Sequence, residues 1–428
     1  MAEPIHLHGL TLEREGLDGV LTVLRDLDLS LESGQRLALI GGNGSGKSSL
    51  LRHLATPGVL PDHRVGLVFQ DPDEQLIAGT VAEELTLGRP QLDAEPILQR
   101  FGLAGRGGED PRLLSAGQKQ RLQLAVVLAD DPDLLLLDEP TSLQDADQAA
   151  WLRRHLAAWE GTMIWATQQP DEVALCHEAL VLDAGRRLEA GPVATVLARP
   201  SVHQLLTPDY PPTEIQTVPM TRTVVQLTDV VCRFNAGGAL RAPDLEIHAG
   251  DRLGITGLNG CGKSTLLAVM AGLRRPDEGT VQLAGSPLYE RGSVDLDHGQ
   301  AALAPQFPEY LFTRGQVGDE IGLDPLLAGT DTGAFLERLG LAASLAQRHP
   351  QDLSGGQKRR LALALALFSR RSLILLDEPT AALDAAGRVR VARLVAAADP
   401  AGALVVASHD TAFLAACGCR TVALAPAG

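Results

Sequence analysis

The chain has 428 residues, 45% of them hydrophobic, which is about three domains' worth by the usual length prior and enough to build cores without a disulfide or metal staple. Its formal charge of -16, from 53 acidic and 37 basic residues, opposes attraction to nucleic acid or anionic lipid through charge alone. The longest apolar run, Leu361–Phe368, is far short of the ~18 residues of a membrane-spanning helix, and the N-terminus lacks a basic stretch followed by an apolar signal core, so the sequence predicts a soluble globular protein.

In chain order, RLALI (36–40) reads as a short buried strand, GGNGSGKSS (41–49) as a glycine loop and SSLLRHLA (48–55) as a helix. GLVF (66–69) is strand-like and ends before Gln70. LLSAGQKQRLQLA (113–125) opens a Leu- and Ala-rich helix, LLLLDEPTSLQD (134–145) is an apolar strand ending in acid, and IWATQQP (164–170) closes the half. The same series then recurs, as DRLGIT (251–256), GLNGCGKST (257–265), STLLAVMAGL (264–273), LAPQFPEY (303–310), DLSGGQKRRLALA (352–364), LILLDEPTAALD (373–384) and VVASHD (405–410). The chain is therefore an internal repeat. The glycine loops lie 216 positions apart (Lys47 and Lys263) and the acidic strands 239 apart (Asp138 and Asp377). Between the halves, Pro192–Pro219 holds six prolines and reads as a linker, which places domains at 1–208 and 221–428 joined by 209–220. Five cysteines (Cys176, Cys232, Cys261, Cys417, Cys419) form no CxxC or Cys/His framework and predict free thiols in a reducing cytoplasm.

Both glycine loops satisfy G-x4-G-K-[ST]. At that spacing backbone N–H groups of Gly41, Gly42, Asn43, Gly44, Ser45 and Gly46 wrap phosphates, Lys47 reaches the β and γ phosphates, Ser48 ligates Mg2+ and Ser49 continues the loop. The second set is Gly257, Leu258, Asn259, Gly260, Cys261, Gly262, Lys263, Ser264 and Thr265. Asp138 and Asp377 end buried strands and would hold the same metal. Glu139 and Glu378, next in sequence, are placed to orient and deprotonate an attacking water. Ser115, Gly117 and Gln118, and likewise Ser354, Gly356 and Gln357, start helices whose hydroxyl, free amides and positive dipole end make a second anion site. An ordinary N-cap is the alternative at both.

A glycine loop, then LSGGQ, then an apolar strand ending DEPT, twice over and across essentially the entire chain, resembles the ATP-binding cassette (ABC) ATPases. The resemblance implies an α/β fold: two P-loop NTPase domains, each a mainly parallel core sheet with an antiparallel β subdomain and a helical signature subdomain. It implies a head-to-tail pair in which Ser354 caps the ATP on Lys47 and Ser115 the ATP on Lys263. It gives Gln70 and Gln306 the role of Q-loop glutamines touching Mg2+ and the γ phosphate, and Asp145 and Asp384 that of passing information between sites. His409 matches the switch histidine, whose place in the first half falls on Gln168, so slower hydrolysis is expected at the Lys47 site. Phe234 matches the aromatic that stacks on adenine; its counterpart Arg14 is either a stacking guanidinium or a solvated charge, and weaker nucleotide affinity is expected in the first half.

FQDPDEQLIAGTVAEEL (69–85), PQFPEYLFTRGQVGDEI (305–321) and ARPSVHQLLTPDYPP (198–212) are similar to segments of the paired ATPases of energy-coupling factor (ECF) transporters, although the second lacks a residue between Tyr310 and Leu311. That likeness implies an importer ATPase, peripheral on the cytoplasmic face of the cell membrane. Its partners would be a transmembrane scaffold subunit and a substrate-binding membrane subunit for a vitamin or metal ion, with no nucleic acid and no direct membrane insertion. The fused ATPase of a conventional ABC importer and a soluble ribosome-associated tandem cassette are the other readings. Lys47 and Gln70 are 23 positions apart, against 43 for Lys263 and Gln306, where PDEGTVQLAG (276–285) reads as a hairpin, so the first half's antiparallel subdomain should be trimmed.

Overall fold

In the computed structural model the described residues are 3–16, 19–142, 144, 146–210, 221–234, 238–290, 293–294, 300–324, 327–398 and 402–425. They divide into two compact units, Met1–Pro208 with Asp384–Ala386, and Asp209–Leu383 with Gly387–Gly428. Among the described residues no helix is long and apolar enough to cross a membrane.

The first unit contains strands β1 (Ile5–Gly16), β2 (Gly19–Leu31), β3 (Arg36–Gly41), β4 (Val65–Val68), β5 (Leu134–Asp138), β6 (Thr162–Ala166), β7 (Glu178–Asp183) and β8 (Arg186–Pro192). Its helices are α1 (Lys47–Leu54), α2 (Val81–Thr86), α3 (Ala94–Arg100), α4 (Ala116–Leu128), α5 (Ala146–Ala157), α6 (Pro170–Val173), α7 (Val193–Leu197) and α8 (Pro200–Leu206). The core sheet runs β4-β5-β6-β3-β7-β8, parallel except for the β7–β8 hairpin. β5 and β6 are buried at every position, as their unbroken apolar sequences demand of strands covered on both faces. Helices α2, α3 and α4 pack on one side with Leu98, Phe101, Leu122 and Leu124, while α1 packs on the other with Leu50, Leu51 and Leu54 against Leu24 and Leu27 of β2.

The second unit repeats this plan with β9 (Thr223–Arg233), β10 (Ala239–Arg241), β11 (Leu245–His248), β12 (Arg252–Thr256), β13 (Glu278–Leu283), β14 (Ser286–Pro287), β15 (Tyr289–Glu290), β16 (Ser293–Val294), β17 (Ala301–Ala304), β18 (Leu373–Asp377), β19 (Ala403–Ala407) and β20 (Arg420–Ala423). Its helices are α9 (Lys263–Met270), α10 (Val317–Ile321), α11 (Thr332–Arg338), α12 (Gly355–Phe368), α13 (Ala385–Ala397) and α14 (Thr411–Ala416). The core sheet is wholly parallel, β17-β18-β19-β12-β20. Beside it β10-β9-β13-β14, with β11 also on β9, form an antiparallel sheet, whereas the first unit's antiparallel sheet is the β1–β2 pair. The trimming expected from the shorter Lys47-to-Gln70 spacing is therefore seen. The segment 276–285 read as a hairpin forms β13 and a turn, Ala284 (φ 50°) and Gly285 (φ 83°) having the two positive φ values that a tight two-residue turn requires, while the return strand β14 follows just past it.

Candidate nucleotide sites

In each unit a buried parallel strand ends in the glycine loop, and the loop ends in a helix. The last loop glycines, Gly46 and Gly262, both have φ 102° and stand at the N-caps of α1 and α9. A Cβ on Gly46 would lie 2.5 Å from Leu24 Cδ2, and one on Gly262 3.1 Å from Leu240, so matching leucines of the antiparallel sheets press each loop onto its helix. Gly41 is equally confined, since a Cβ there would lie 2.5 Å from both Leu182 O and Ser45 Oγ. The helix N-termini thus present backbone N–H groups and a positive dipole end to one point, an arrangement that suits phosphate.

Lys47 and Lys263 are buried at the helix starts. Lys47 Nζ donates to the carbonyl oxygens of Gly41 (2.7 Å) and Gly42 (3.2 Å) and lies 3.2 Å from Glu139 Oε1. Lys263 Nζ donates to Gly257 O (2.9 Å) and Leu258 O (3.3 Å) and lies 3.6 Å from Glu378 Oε1. Ser48 Oγ donates to Asp138 Oδ1 at 3.0 Å. Burial raises the Asp138 and Asp377 carboxyls above their ordinary range, opposed by hydrogen bonds from Ser48 and Ser264 respectively. Asp377 Oδ1 is buried without a hydrogen-bond partner. A buried acceptor next to a serine hydroxyl and a phosphate loop is a hard-oxygen donor set that fits Mg2+.

The glutamates after these aspartates share an unusual backbone. Glu139 (φ 43°) and Glu378 (φ 45°) lie in the left-handed region, a cost of ~1–2 kcal/mol offset in part by hydrogen bonds from their N–H groups to Ala166 O (2.9 Å) and Ala407 O (2.8 Å). That twist at the strand end carries each carboxyl back toward its loop lysine. Gln168 Nε2 donates to Glu139 Oε1 (2.9 Å) and to Asn43 Oδ1 (3.1 Å). In the second unit His409 Nδ1 takes the corresponding place, 3.0 Å from Glu378 Oε2. Burial pushes the Glu378 carboxyl up, but the hydrogen bond and charge of His409 and the charge of Lys263 outweigh it, leaving the carboxyl below its ordinary value; the same bond raises His409.

The family described as ABC transporter matches residues 24–142 and 240–381, which contain both glycine loops and both strand-end acid pairs. The chain belongs to the ABC transporter family. The cassettes of that family are ATPases, and this protein is a tandem ABC ATPase with two cassettes in one chain. It is 27% identical, over 92% of its length, to a Bifidobacterium longum protein named "Putative ABC transporter ATP-binding protein", of which it spans 61%. It is 28% identical, over 91% of its length and 84% of the relative's, to the Bacillus subtilis "Putative HMP/thiamine import ATP-binding protein YkoD". A solved structure titled "RNase-L Inhibitor" shares the fold, with a TM-score of 0.63 at 21% identity over 96% of this chain and 87% of that one.

In both cassettes the signature serine is an N-cap. Ser115 Oγ accepts from Gln118 N (3.3 Å) while Gln118 Oε1 accepts from Ser115 N (2.9 Å), and Ser354 and Gln357 repeat the box at 3.4 and 2.9 Å. The cap uses each serine oxygen as acceptor and leaves its O–H proton to donate elsewhere, so capping and anion binding are compatible. Gly117 and Gly356 lie in the first turns of α4 and α12. Gln70 Nε2 donates to Ser142 Oγ at 3.3 Å, and Gln306 is half-buried after β17. Phe234 follows β9 with the Arg274 guanidinium 5.6 Å from its ring centroid, while Arg14 is exposed on β1 opposite Leu21. Asp384 directly precedes α13, and Asp145 lies outside the described residues.

Three side chains next to the ABC motifs escape motif reading. Arg359, on α12, donates to Glu378 O (2.6 Å) and Gln306 O (2.8 Å), tying the signature helix to the catalytic-glutamate turn and the Q-loop. Its counterpart in the first cassette is Gln120, buried and bonded to Gln123 Oε1 at 3.0 Å. Glu172 is fully buried and accepts from both Thr141, two residues past Glu139, and Thr167, next to Gln168. Phe413 fills that place in the second cassette. The third is Tyr210, treated below. Aligning the halves residue by residue exposes the first two, because each is a change of residue class at a matched position.

Proposed function

We propose that this ABC ATPase is the energy-coupling component of an ECF-type importer, driving uptake of a vitamin or metal ion through a transmembrane scaffold and a substrate-binding membrane subunit on whose cytoplasmic face it sits. The observation that carries the reading is the pair of Q-loop segments, each with large apolar side chains held out to solvent: Ile77 (77% exposed) in the first cassette and Tyr310 (82% exposed) in the second, with Phe307 beside it. Apolar side chains next to the glutamine that faces the γ phosphate suit a grip on a membrane subunit's cytoplasmic helix. The name of the Bacillus subtilis relative, an importer ATP-binding protein, supports the same reading.

The working site of the first cassette comprises Gly41–Ser49, Asp138, Glu139, Gln168 and Gln70; that of the second comprises Gly257–Thr265, Asp377, Glu378, His409 and Gln306. Each ATP is completed by the signature serine, glycine and glutamine of the other cassette, with Phe234 against the adenine of the second site. The cassettes span 1–208 and 221–428. Mg2+ would be held by Ser48, Asp138 and Gln70 in the first cassette, and by Ser264, Asp377 and Gln306 in the second, and when bound it supplies neutralisation of phosphate charge. The lysine holds the β and γ phosphates, the glutamate accepts a proton from the attacking water, and Gln168 or His409 fixes that glutamate.

The test is purification of the chain from detergent-solubilised membranes of its own host. Retention of a membrane scaffold, lost on Ile77→Asp with Tyr310→Asp, is expected. Sedimentation with ribosomes and no membrane protein retained would overturn the proposal. ATP-dependent uptake by the reconstituted complex then identifies the cargo.

A further inference from the structure

The segment that leaves the first cassette ends its described course inside the second. Asp209 and Tyr210 belong to the second unit, and the Tyr210 ring packs on the core formed by Val391, Val395, Phe413 and Leu414, with its centroid 6.2 Å from that of Phe413 at an interplanar angle of 59°. Its hydroxyl donates to Asp410 Oδ2 at 2.8 Å. Asp410 is the residue after His409. Its other oxygen accepts from Phe413 N (2.9 Å) to cap α14, its N–H donates to Ser408 Oγ (3.1 Å), and Arg388 Nη1 approaches Oδ2 at 3.9 Å. The carboxylate is thus held from three sides, and the peptide it anchors is the one that carries His409 to Glu378.

Among the described residues the first cassette shows no such anchor at the matched place. Gln169 corresponds to Asp410, and its side chain makes no cap bond to α6. Burial and the neighbouring Asp410 charge raise the Tyr210 hydroxyl well above its ordinary value, so it stays a donor throughout the working pH range.

We infer that Tyr210 is a positioning residue for hydrolysis in the second cassette, acting through Asp410 to fix the peptide that aims His409 at Glu378, so that the connector between cassettes is a working part of one switch. The inference rests on the assignment of Glu378 and His409 proposed above.

The test uses the full chain carrying Glu139→Gln, so that steady-state turnover reports the second cassette, and compares Tyr210→Phe, Asp410→Asn and His409→Ala alone and in pairs. Tyr210→Phe keeps the ring in its apolar seat and removes the bond alone. It is expected to lower kcat about three- to tenfold with KM for ATP and the melting temperature unchanged, and to have no further effect in the His409→Ala background. Full kcat in Tyr210→Phe, or a loss of equal size in the His409→Ala background, overturns the inference. Full kcat in His409→Ala instead overturns the site assignment on which it rests. Should Asp410→Asn destabilise the chain, Tyr210→Phe with His409→Ala still decides the question.

Discussion

His409 donates through Nδ1 to Glu378 Oε2 at 3.0 Å, an imidazole held by a carboxylate buried beside Lys263. Gln168 reaches Glu139 Oε1 at 2.9 Å from the matching position, so the first cassette keeps the geometry of the pair and loses its charge. An amide cannot carry a positive charge toward a γ phosphate or exchange a proton. Glu378→Gln should therefore remove about ten times more steady-state ATPase activity than Glu139→Gln, less than the roughly 10²–10⁴-fold of a full general acid–base contribution because Gln168 keeps the hydrogen bond to Glu139. Equal losses in the two single variants would refute the asymmetry.

The same pair fixes a pH dependence of stability. His409 is raised by its bond to Glu378, so its contribution is complete below its unfolded value of about 6.5 and is lost as pH rises through the higher folded value. Glu378 is lowered on balance, so its contribution is present above its unfolded value of about 4.3 and is lost as pH falls through the folded one. The His409 side chain is 49% exposed, and solvent screening limits the effect to under about 1 kcal/mol. The difference in melting temperature between the native chain and His409→Ala should be larger at pH 6 than at pH 9. A difference that grows with pH would reverse the assigned protonation states.

The phosphate loops, strand-end acids and signature serines were legible in the sequence because each is a contiguous run whose local backbone sets its own geometry: a glycine at φ 102°, an apolar strand ending in acid, a serine three residues before the glutamine that completes its cap. The shortened β subdomain was legible as a difference in spacing. What the sequence concealed are bonds between distant positions. Glu172 joins Thr141, 31 residues away, and Tyr210 joins Asp410, 200 residues away. Tyr210 lies in the 198–212 segment that resembles the ECF ATPases, but that likeness and the surrounding prolines name no partner for it, and the reading of 209–220 as linker did not separate Tyr210, which is anchored, from residues 211–220, which lie outside the described ones.

The two kinds of loop glycine should respond differently to substitution. Gly44 (φ 80°) and Gly46 (φ 102°) both have positive φ, but a Cβ on Gly44 meets nothing within 4 Å, whereas one on Gly46 lies 2.5 Å from Leu24 Cδ2. Gly44→Ala should cost about 1 kcal/mol of backbone strain, and Gly46→Ala about 2–3 kcal/mol as strain and overpacking combine. Leu24→Ala in the Gly46→Ala background should recover the overpacking part and leave a cavity cost of its own. Denaturant melts of the three variants check the order, and Gly44→Ala proving the more damaging would contradict it.

Arg359 offers a second comparison between the cassettes. Its guanidinium is pushed below its ordinary value by burial, against the raising influence of Glu309, Glu378 and Asp377, yet an arginine remains charged and holds two backbone carbonyls. Arg359→Ala frees those carbonyls and should destabilise the second cassette by about 2–3 kcal/mol. Arg359→Gln, which installs the residue found at position 120, should lower second-cassette turnover while leaving ATP affinity within about twofold, because the bonds reach the backbone of Glu378 and Gln306 and not the phosphate loop. Titration calorimetry alongside turnover separates the two effects, and a parallel loss of affinity would argue against this division.

Glu172 gives the first cassette a brace of a different kind. Burial raises its carboxyl above the ordinary value against the hydrogen bonds of Thr141 and Thr167, so the folded chain favours a protonated side chain there more than the unfolded chain does. Glu172→Ala strips both threonine hydroxyls of their acceptor inside a site with no exposure and should cost about 2–4 kcal/mol. Glu172→Gln keeps one acceptor oxygen for two donors, and should cost about half as much. Because Thr141 follows the Glu139 turn and Thr167 precedes Gln168, the alanine variant should also slow first-cassette turnover, measured in the Glu378→Gln chain, more than it slows the second, measured in the Glu139→Gln chain. Equal slowing of both cassettes would mean that the brace supports the fold at large and not the Glu139–Gln168 pair.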